Sequence, residues 1–276
     1  MNLLVPVDFS DLSLNAAKSA IIAGKYMTGK ITFVHVMDYP MVPAMTELNV
    51  RENIISQEKE SKKEILEGEI RKLYTSLNTR AKEIPYECII ATPPLDLSVE
   101  TLAKQYKTDI IIMGTNGASG IKKMLLGSNA AKVINSSKIP VLLIPSDYTF
   151  TDLSHVALAA DIKNFNPGNR TELLTVFSNR FSSDINILYF QKKNVTISEA
   201  EIEKIKTHPF IGQHKCTISI QEGEPTKEVF EEWYNKNLPD LIAIMPEEKS
   251  FFEGIFTGST TKELAYHAGL PLLILK

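Results

Sequence analysis

Little in this chain points to covalent chemistry. Of its 276 residues only two are cysteine, Cys88 and Cys216, far apart along the sequence. That pattern implies no disulfide framework and reads as two buried free thiols. No stretch approaches eighteen consecutive apolar residues, so none reads as a membrane span. The opening MNLLVPVDFSD has neither the basic start nor the long apolar core of a secretory leader, and a cytoplasmic location is expected. A formal net charge of −3 provides no basic face or tail for nucleic acid. The Gly-x-Ser-x-Gly elbow, the zincin helix and the Cys-x-x-Cys pair are all missing, as are the Walker lysine loop and the Gly-x-Gly-x-x-Gly fingerprint. Five histidines occur, His35, His155, His208, His214 and His267. Among them only His208-x5-His214-x-Cys216 clusters. Its spacing suits no common zinc pattern and reads as a loop running into a strand, whereas His35 ends a strand and is expected at a pocket mouth. With no general base or metal carboxylate set evident, rapid ATP hydrolysis is not expected, and at most slow turnover is left open.

What is present is an ordinary globular composition, 43% hydrophobic and 23% charged, with length enough for about two domains. Its most informative stretch is IIIMGTNGASGIKKMLLGSNAAKVINSSKIPVLLIP, from Ile110 to Pro145. Ile110 to Met113 reads as a buried parallel strand. Gly114, Thr115, Asn116 and Gly117 read as the turn that ends it. Gly127 and Ser128 follow, then a helix-compatible segment from Asn129 to Asn135, then an apolar strand from Val141 to Ile144. Glycines at a strand's carboxyl end followed by Gly-Ser at a helix start make a phosphate cradle: free N–H groups and the helix dipole favour an anion, and missing side chains allow close approach. The spacing Gly114-x2-Gly117-x9-Gly127-Ser128 resembles the ATP-binding motif of the universal stress protein family. Lys122 and Lys123 lie within this loop, where they would either reach a phosphate or point to water.

The chain also repeats itself. Asp109-Ile-Ile-Ile-Met is matched by Asp240-Leu-Ile-Ala-Ile, Gly127-Ser128 by Gly258-Ser259, and Ile139-Pro-Val-Leu-Leu-Ile by Leu270-Pro-Leu-Leu-Ile-Leu, all at a constant offset of 131. The openings Leu3 to Asp8 and Val156 to Asp161 correspond too, but Asp8 to Asp109 is 101 residues against 79 from Asp161 to Asp240. This is a tandem duplication whose first copy carries 22 extra residues. Second strands are expected at Ile31 to Val36 and Ile185 to Phe190, and third strands near Glu87 to Ile90 and Thr217 to Ile220. The excess therefore falls between about Asp38 and Lys82. There Leu48, Ile54, Ile55, Ile65, Leu66, Ile70 and Leu73 recur at helical spacing, predicting a long helix over about Thr46 to Leu77 with a solvated, ion-paired face.

Each half then alternates strand and helix through five strands, which implies a parallel sheet with helices on both faces. The polar stretch Ser146 to Ser154 marks the boundary, giving domains 1–148 and 149–276. The resemblance to universal stress proteins covers nearly the whole chain and implies two tandem flavodoxin/Rossmann-like domains, of the adenine nucleotide alpha hydrolase-like kind, each with strand order 3-2-1-4-5. Strands one and four would then flank the ligand crevice. It implies ATP, with or without Mg2+, as the ligand. Pro6, Val7 and Asp8 would lie near adenine and ribose, with the backbone of His35 and Val36 against the base. Gly114 and Gly117 would approach ribose and phosphates, and Gly127, Ser128 and Asn129 would hold the phosphate chain. Asp8 has an alternative reading as a turn or N-cap residue before a helix over Leu12 to Met27. The second half departs from the pattern, with Met245, Pro246 and Glu248 where Gly114 and Gly117 would lead, so ATP is expected only in the first. The expected function is a nucleotide-binding stress-response regulator acting on an unidentified protein partner; the alternative is a scaffold of the same fold that uses no nucleotide. The family's pairing through fifth strands would make the two halves an intramolecular pseudo-dimer, and the sequence leaves a homodimer open.

Overall fold

The computed structural model describes residues 1–27, 29–38, 40, 43, 47–115, 127–162, 165, 168–191, 197–223, 226–245 and 269–276. Two compact units divide the chain, with the division after Phe150.

The first unit alternates without exception: β1 (Leu3–Pro6), α1 (Asp11–Gly24), β2 (Ile31–Val36), α2 (Leu48–Ser76), β3 (Tyr86–Ala91), α3 (Leu95–Gln105), β4 (Ile110–Thr115), α4 (Ser128–Ser136) and β5 (Val141–Pro145). Its strands lie in the order β3-β2-β1-β4-β5, paired in parallel throughout. β1 reads Leu-Leu-Val-Pro with every residue buried, and β5 is buried along its whole length. Such unbroken apolar runs suit strands covered on both faces. Only one position of β3 is fully buried, as expected of an edge strand.

The second unit holds β6 (His155–Ala159), a 3-10 turn (Gly168–Thr171), α5 (Glu172–Phe181), β7 (Asp184–Gln191), α6 (Glu199–Lys206), α7 (Pro209–Gln213), β8 (Cys216–Glu222), α8 (Lys227–Asn237), β9 (Leu241–Ile244) and β10 (Leu272–Ile274). Its order, β8-β7-β6-β9-β10, is again 3-2-1-4-5 and parallel. The two expected doubly wound domains are therefore present. The copies agree down to single hydrogen bonds. Asn2 N–H donates to Asp109 Oδ2 at 2.7 Å while Asp109 N–H donates back to Asn2 O at 2.8 Å. His155 N–H donates to Asp240 Oδ2 and Asp240 N–H to His155 O, both at 2.8 Å. Each carboxylate thus clips the fourth strand to the start of the first.

Several expectations need correction. His208 to Gln213 is not a loop: α7 forms there, with Pro209 in its first turn and the His208 ring nitrogen capping Phe210 N–H at 3.3 Å. Of the apolar positions assigned to the long helix, α2 fully buries only Leu66 and Ile70, joined by Tyr74, whose hydroxyl donates to Ile84 O at 3.0 Å. Leu48 is 77% exposed and Ile65 47%. The periodicity was real, but only the carboxyl-terminal half of this 29-residue helix meets the sheet layer. Pairs such as Lys62–Glu58 at 3.7 Å lie along its solvated face.

Candidate functional site

At the carboxyl ends of β1 and β4 the first unit opens a cleft of about 570 Å³. This is where an open parallel sheet reverses its strand order, and where ligands bind in such sheets. Pro6, Val7, Val34, Val36 and Met113 supply an apolar wall, and Pro93, Pro94 and Leu95, between β3 and α3, supply another. Asp8, Ser10, Ser13 and Asp38 add polar groups at the β1–α1 turn and beyond β2. Gly127, Ser128, Asn129 and Lys132 enter from α4.

The β1–α1 turn is tightly built. Phe9 takes a left-handed φ of 66°, which is costly for a bulky residue. His35 holds it: its Nδ1 bonds Val7 O at 2.8 Å, and its ring lies against the Phe9 ring with centroids 4.4 Å apart. His35 is buried and is not among the residues lining the cleft. It does not sit at the pocket mouth, because alternation along β2 gives Val34 and Val36 to the cleft and turns His35 to the opposite face. Its side chain acts on the site through the turn. Asp8 is a turn residue and not the N-cap of α1. That place belongs to Ser10, whose hydroxyl accepts from Ser13 N–H at 3.2 Å. Asp8 Oδ1 instead accepts from Ser10 N–H at 3.1 Å and from Ser10 Oγ at 2.5 Å. Burial pushes the Asp8 carboxyl up, but the Ser10 and Ser13 hydroxyls together with backbone N–H groups outweigh it and hold the pKa below the ordinary carboxylate value. Asp8 is thus a fixed, ionised acceptor at the cleft.

The two described glycines of the motif have different reasons to be glycine. Gly114 is not in a turn. It lies within β4, paired with Ile144, and Thr115 follows it in the strand. A Cβ there would stand 2.6 Å from Leu12 Cγ and 2.7 Å from Leu12 O, so its missing side chain admits the first turn of α1. Gly127, by contrast, precedes α4 at φ −53° and ψ 139°, which any residue adopts, and a Cβ there would meet none of the described residues within 4 Å. No side-chain hydrogen bond caps α4 among the described residues. At the cleft no described side chain takes up its first N–H groups, a geometry suited to an anion.

The cleft thus gathers Pro6, Val7, Asp8, Val36, Gly114, Gly127, Ser128 and Asn129 of the expected set, and leaves out His35. Gly117, Lys122 and Lys123 lie outside the described residues, as do Pro246, Glu248, Gly258, Ser259 and His267. Ser10, Ser13, Asp38, Pro93, Pro94 and Lys132 were missed by sequence reasoning. Lys132 could have been found, since it stands one helical turn after Ser128.

The sequence profile described as the universal stress protein family matches residues 1–145. The chain belongs to the universal stress protein family. A universal stress protein of Methanocaldococcus jannaschii is 32% identical over 142 residues, covering 51% of this chain and 80% of that one. The Bacillus subtilis universal stress protein YxiE is 30% identical over 148 residues, covering 51% and 97%. The crystal structure of a universal stress protein from Archaeoglobus fulgidus DSM 4304 superposes over 100% of this chain and 98% of its own, with a TM-score of 0.75 at 18% identity. A match at that identity is one of fold, and it extends the universal stress protein architecture over both units.

Proposed function

We propose that this universal stress protein binds one adenine nucleotide, ATP, in the cleft of its first unit, as a ligand that reports cellular state rather than as a substrate rapidly consumed. The observation that carries this reading is the pairing of Gly127 with the uncapped start of α4. Among the described residues nothing makes a steric or conformational demand for glycine at 127, which supports reading the missing side chain as room for something that approaches from the cleft. Phosphates are that group: helix N–H donors at Ser128 and Asn129 meet them, and Lys132 adds a cation. The Pro6–Val7 and Val34–Val36 wall suits the adenine ring, and the ionised Asp8 is an acceptor for ribose hydroxyls. A hard cation accompanying the phosphates would find carboxylate oxygens at Asp8 and Asp38. In the second unit Met245 is buried at the position equivalent to Gly114, which supports a single site per chain. Binding would bias contacts with a protein partner by its differential affinity for two conformations.

The test is to strip the purified protein of nucleotide, titrate ATP by calorimetry, and repeat with Gly127→Val. We expect about one ATP per chain. The variant should keep its urea midpoint, because its side chain enters open space, yet bind ATP at least ~10-fold more weakly through collision with the phosphates. Two sites per chain would contradict a silent second unit. No binding at all would leave a scaffold that uses no nucleotide, and equal affinity in the variant would remove the phosphates from α4.

A further inference from the structure

The first unit contains another cavity, at the amino ends of its strands and so on the edge away from the cleft. It lies between α3 and the end of α4 and measures about 250 Å³. Val99 and Ala103 of α3 and Ile139, just before β5, give it apolar walls. Three lysines also line it, Lys104, Lys107 and Lys138, against the single carboxylate of Glu100. All three are exposed, so their methylene stems lie along the apolar wall while the ammonium groups stay in water at the mouth. Lys104 Nζ is taken by Glu100 Oε1 at 2.8 Å, and Lys104 and Lys138 together hold the Glu100 carboxyl below the ordinary carboxylate value. Lys107 makes no ion pair among the described residues. The mouth therefore keeps a surplus of positive charge. The end of α3 does not need that charge to satisfy its carbonyls, since Leu102, Ala103 and Lys104 O already accept from Tyr106, Thr108 and Lys107 N–H at 2.9, 2.9 and 3.3 Å.

The tandem repeat supplies a comparison. α3 and α8 correspond at the offset of 131, and the backbone agrees: Lys107 and Leu238, which share a position, take left-handed φ values of 47° and 42°. At that offset Val99 becomes Phe230, Ala103 becomes Tyr234 and Lys104 becomes Asn235. Phe230 is only 1% exposed, and its ring stacks on that of Tyr234 with centroids 6.2 Å apart. The second unit thus carries two stacked rings on the helix face where the first carries a valine and an alanine. It carries a leucine and an asparagine where the first carries two lysines. The same helix in the same fold accommodates bulk and neutrality at these positions, so the space and the charge in the first unit are not demands of the architecture.

We propose that this cavity binds a small amphipathic anion, a carboxylate carried on an apolar chain. The walls of Val99, Ala103 and Ile139 take up the chain, and Lys107 and Lys138 meet the carboxylate at the mouth. The volume exceeds the ~150 Å³ that accommodates benzene in an apolar cavity, which sets the chain at about eight carbons. An alkylammonium of the same length would set its charge against the surplus of lysine. The site is separate from the nucleotide cleft, and its occupancy does not depend on whether ATP binds there.

The full-length protein is titrated by calorimetry with octanoate and, separately, with octylammonium, which matches it in chain and reverses its charge. Octanoate should saturate at about one per chain, and octylammonium should bind at least ~5-fold more weakly at low ionic strength. Added salt should narrow that gap, because exposed charges are screened. In isotope-labelled protein, octanoate should shift the amide signals of Ala103, Lys107 and Ile139. Ala103→Tyr installs the residue of the second unit in the cavity and should abolish octanoate binding while the circular dichroism melt stays intact. The double variant Lys107→Leu, Lys138→Gln alters exposed side chains only, so it decides the matter even if Ala103→Tyr fails to fold; it should erase the preference for octanoate. The assignment is overturned if octanoate does not bind, if octylammonium binds as well or better, or if the shifts fall only in the nucleotide cleft. Unchanged octanoate affinity in a folded Ala103→Tyr protein, or an unchanged preference in the double variant, overturns it too.

Discussion

Two glycines thirteen positions apart do opposite work. Gly114 is needed by the fold, because Leu12 of α1 occupies the place where its side chain would stand. Gly114→Ala should therefore destabilise the first unit by about 1–3 kcal/mol, the usual cost of overpacking where backbone must shift. A lowered urea midpoint, followed by circular dichroism, checks this. An unchanged midpoint would mean that α1 has room to retreat. No described residue stands where a Gly127 side chain would go, so its substitution reads the ligand more directly than that of Gly114 does. His35 shows a third kind of role. It touches neither cleft nor solvent, yet its bond to Val7 O and its contact with Phe9 support the turn that presents Asp8.

Among the elements, α2 is the clearest difference between the copies: one 29-residue helix where the second unit has the short α6 and α7. Its length is sustained by good helix formers and pairs such as Lys72–Glu69 at 2.7 Å, each worth a few tenths of a kcal/mol. Gly68 lies within it, and a Cβ there would meet none of the described residues within 4 Å. Gly68→Ala should stabilise the protein by about 0.5–1 kcal/mol through reduced backbone entropy in the unfolded chain. The readout is an upward shift of the urea midpoint; a fall would reveal a close approach at this helix face. α1 illustrates local determination of another kind. Asn15 sends its amide to the carbonyls of Pro145 at 3.0 Å, Ser146 at 3.2 Å and Tyr148 at 2.9 Å, fixing the chain as it leaves β5.

For the whole molecule, the duplication separates a shared architecture from unshared sites. If ATP occupies only the first unit, saturation at about 100 times Kd should add about 2.7 kcal/mol to the stability of that unit. Hydrogen exchange should then slow in β1, the start of α1 and α4, and not in β6 to β8; equal slowing in both units would contradict a single site. The strand positions, their order and the duplication were legible in the sequence because unbroken apolar runs, the Asp109 and Asp240 strand starts and the Gly-Ser pairs are local signals repeated at one spacing. So too were the cleft residues at the ends of β1, β2 and β4 and at the start of α4, since parallel strands deliver their carboxyl ends to one edge. What the sequence could not decide was which face a side chain takes and what its neighbours demand. His35 read as a residue of the pocket mouth and Gly114 as a turn glycine until β2 pairing and the packing of Leu12 assigned them otherwise. Asn15 and Tyr148 stand 133 residues apart, and only the tertiary structure brings the amide of one to the carbonyl of the other, because contacts between elements depend on how helices lie on the sheet and not on spacing along the chain.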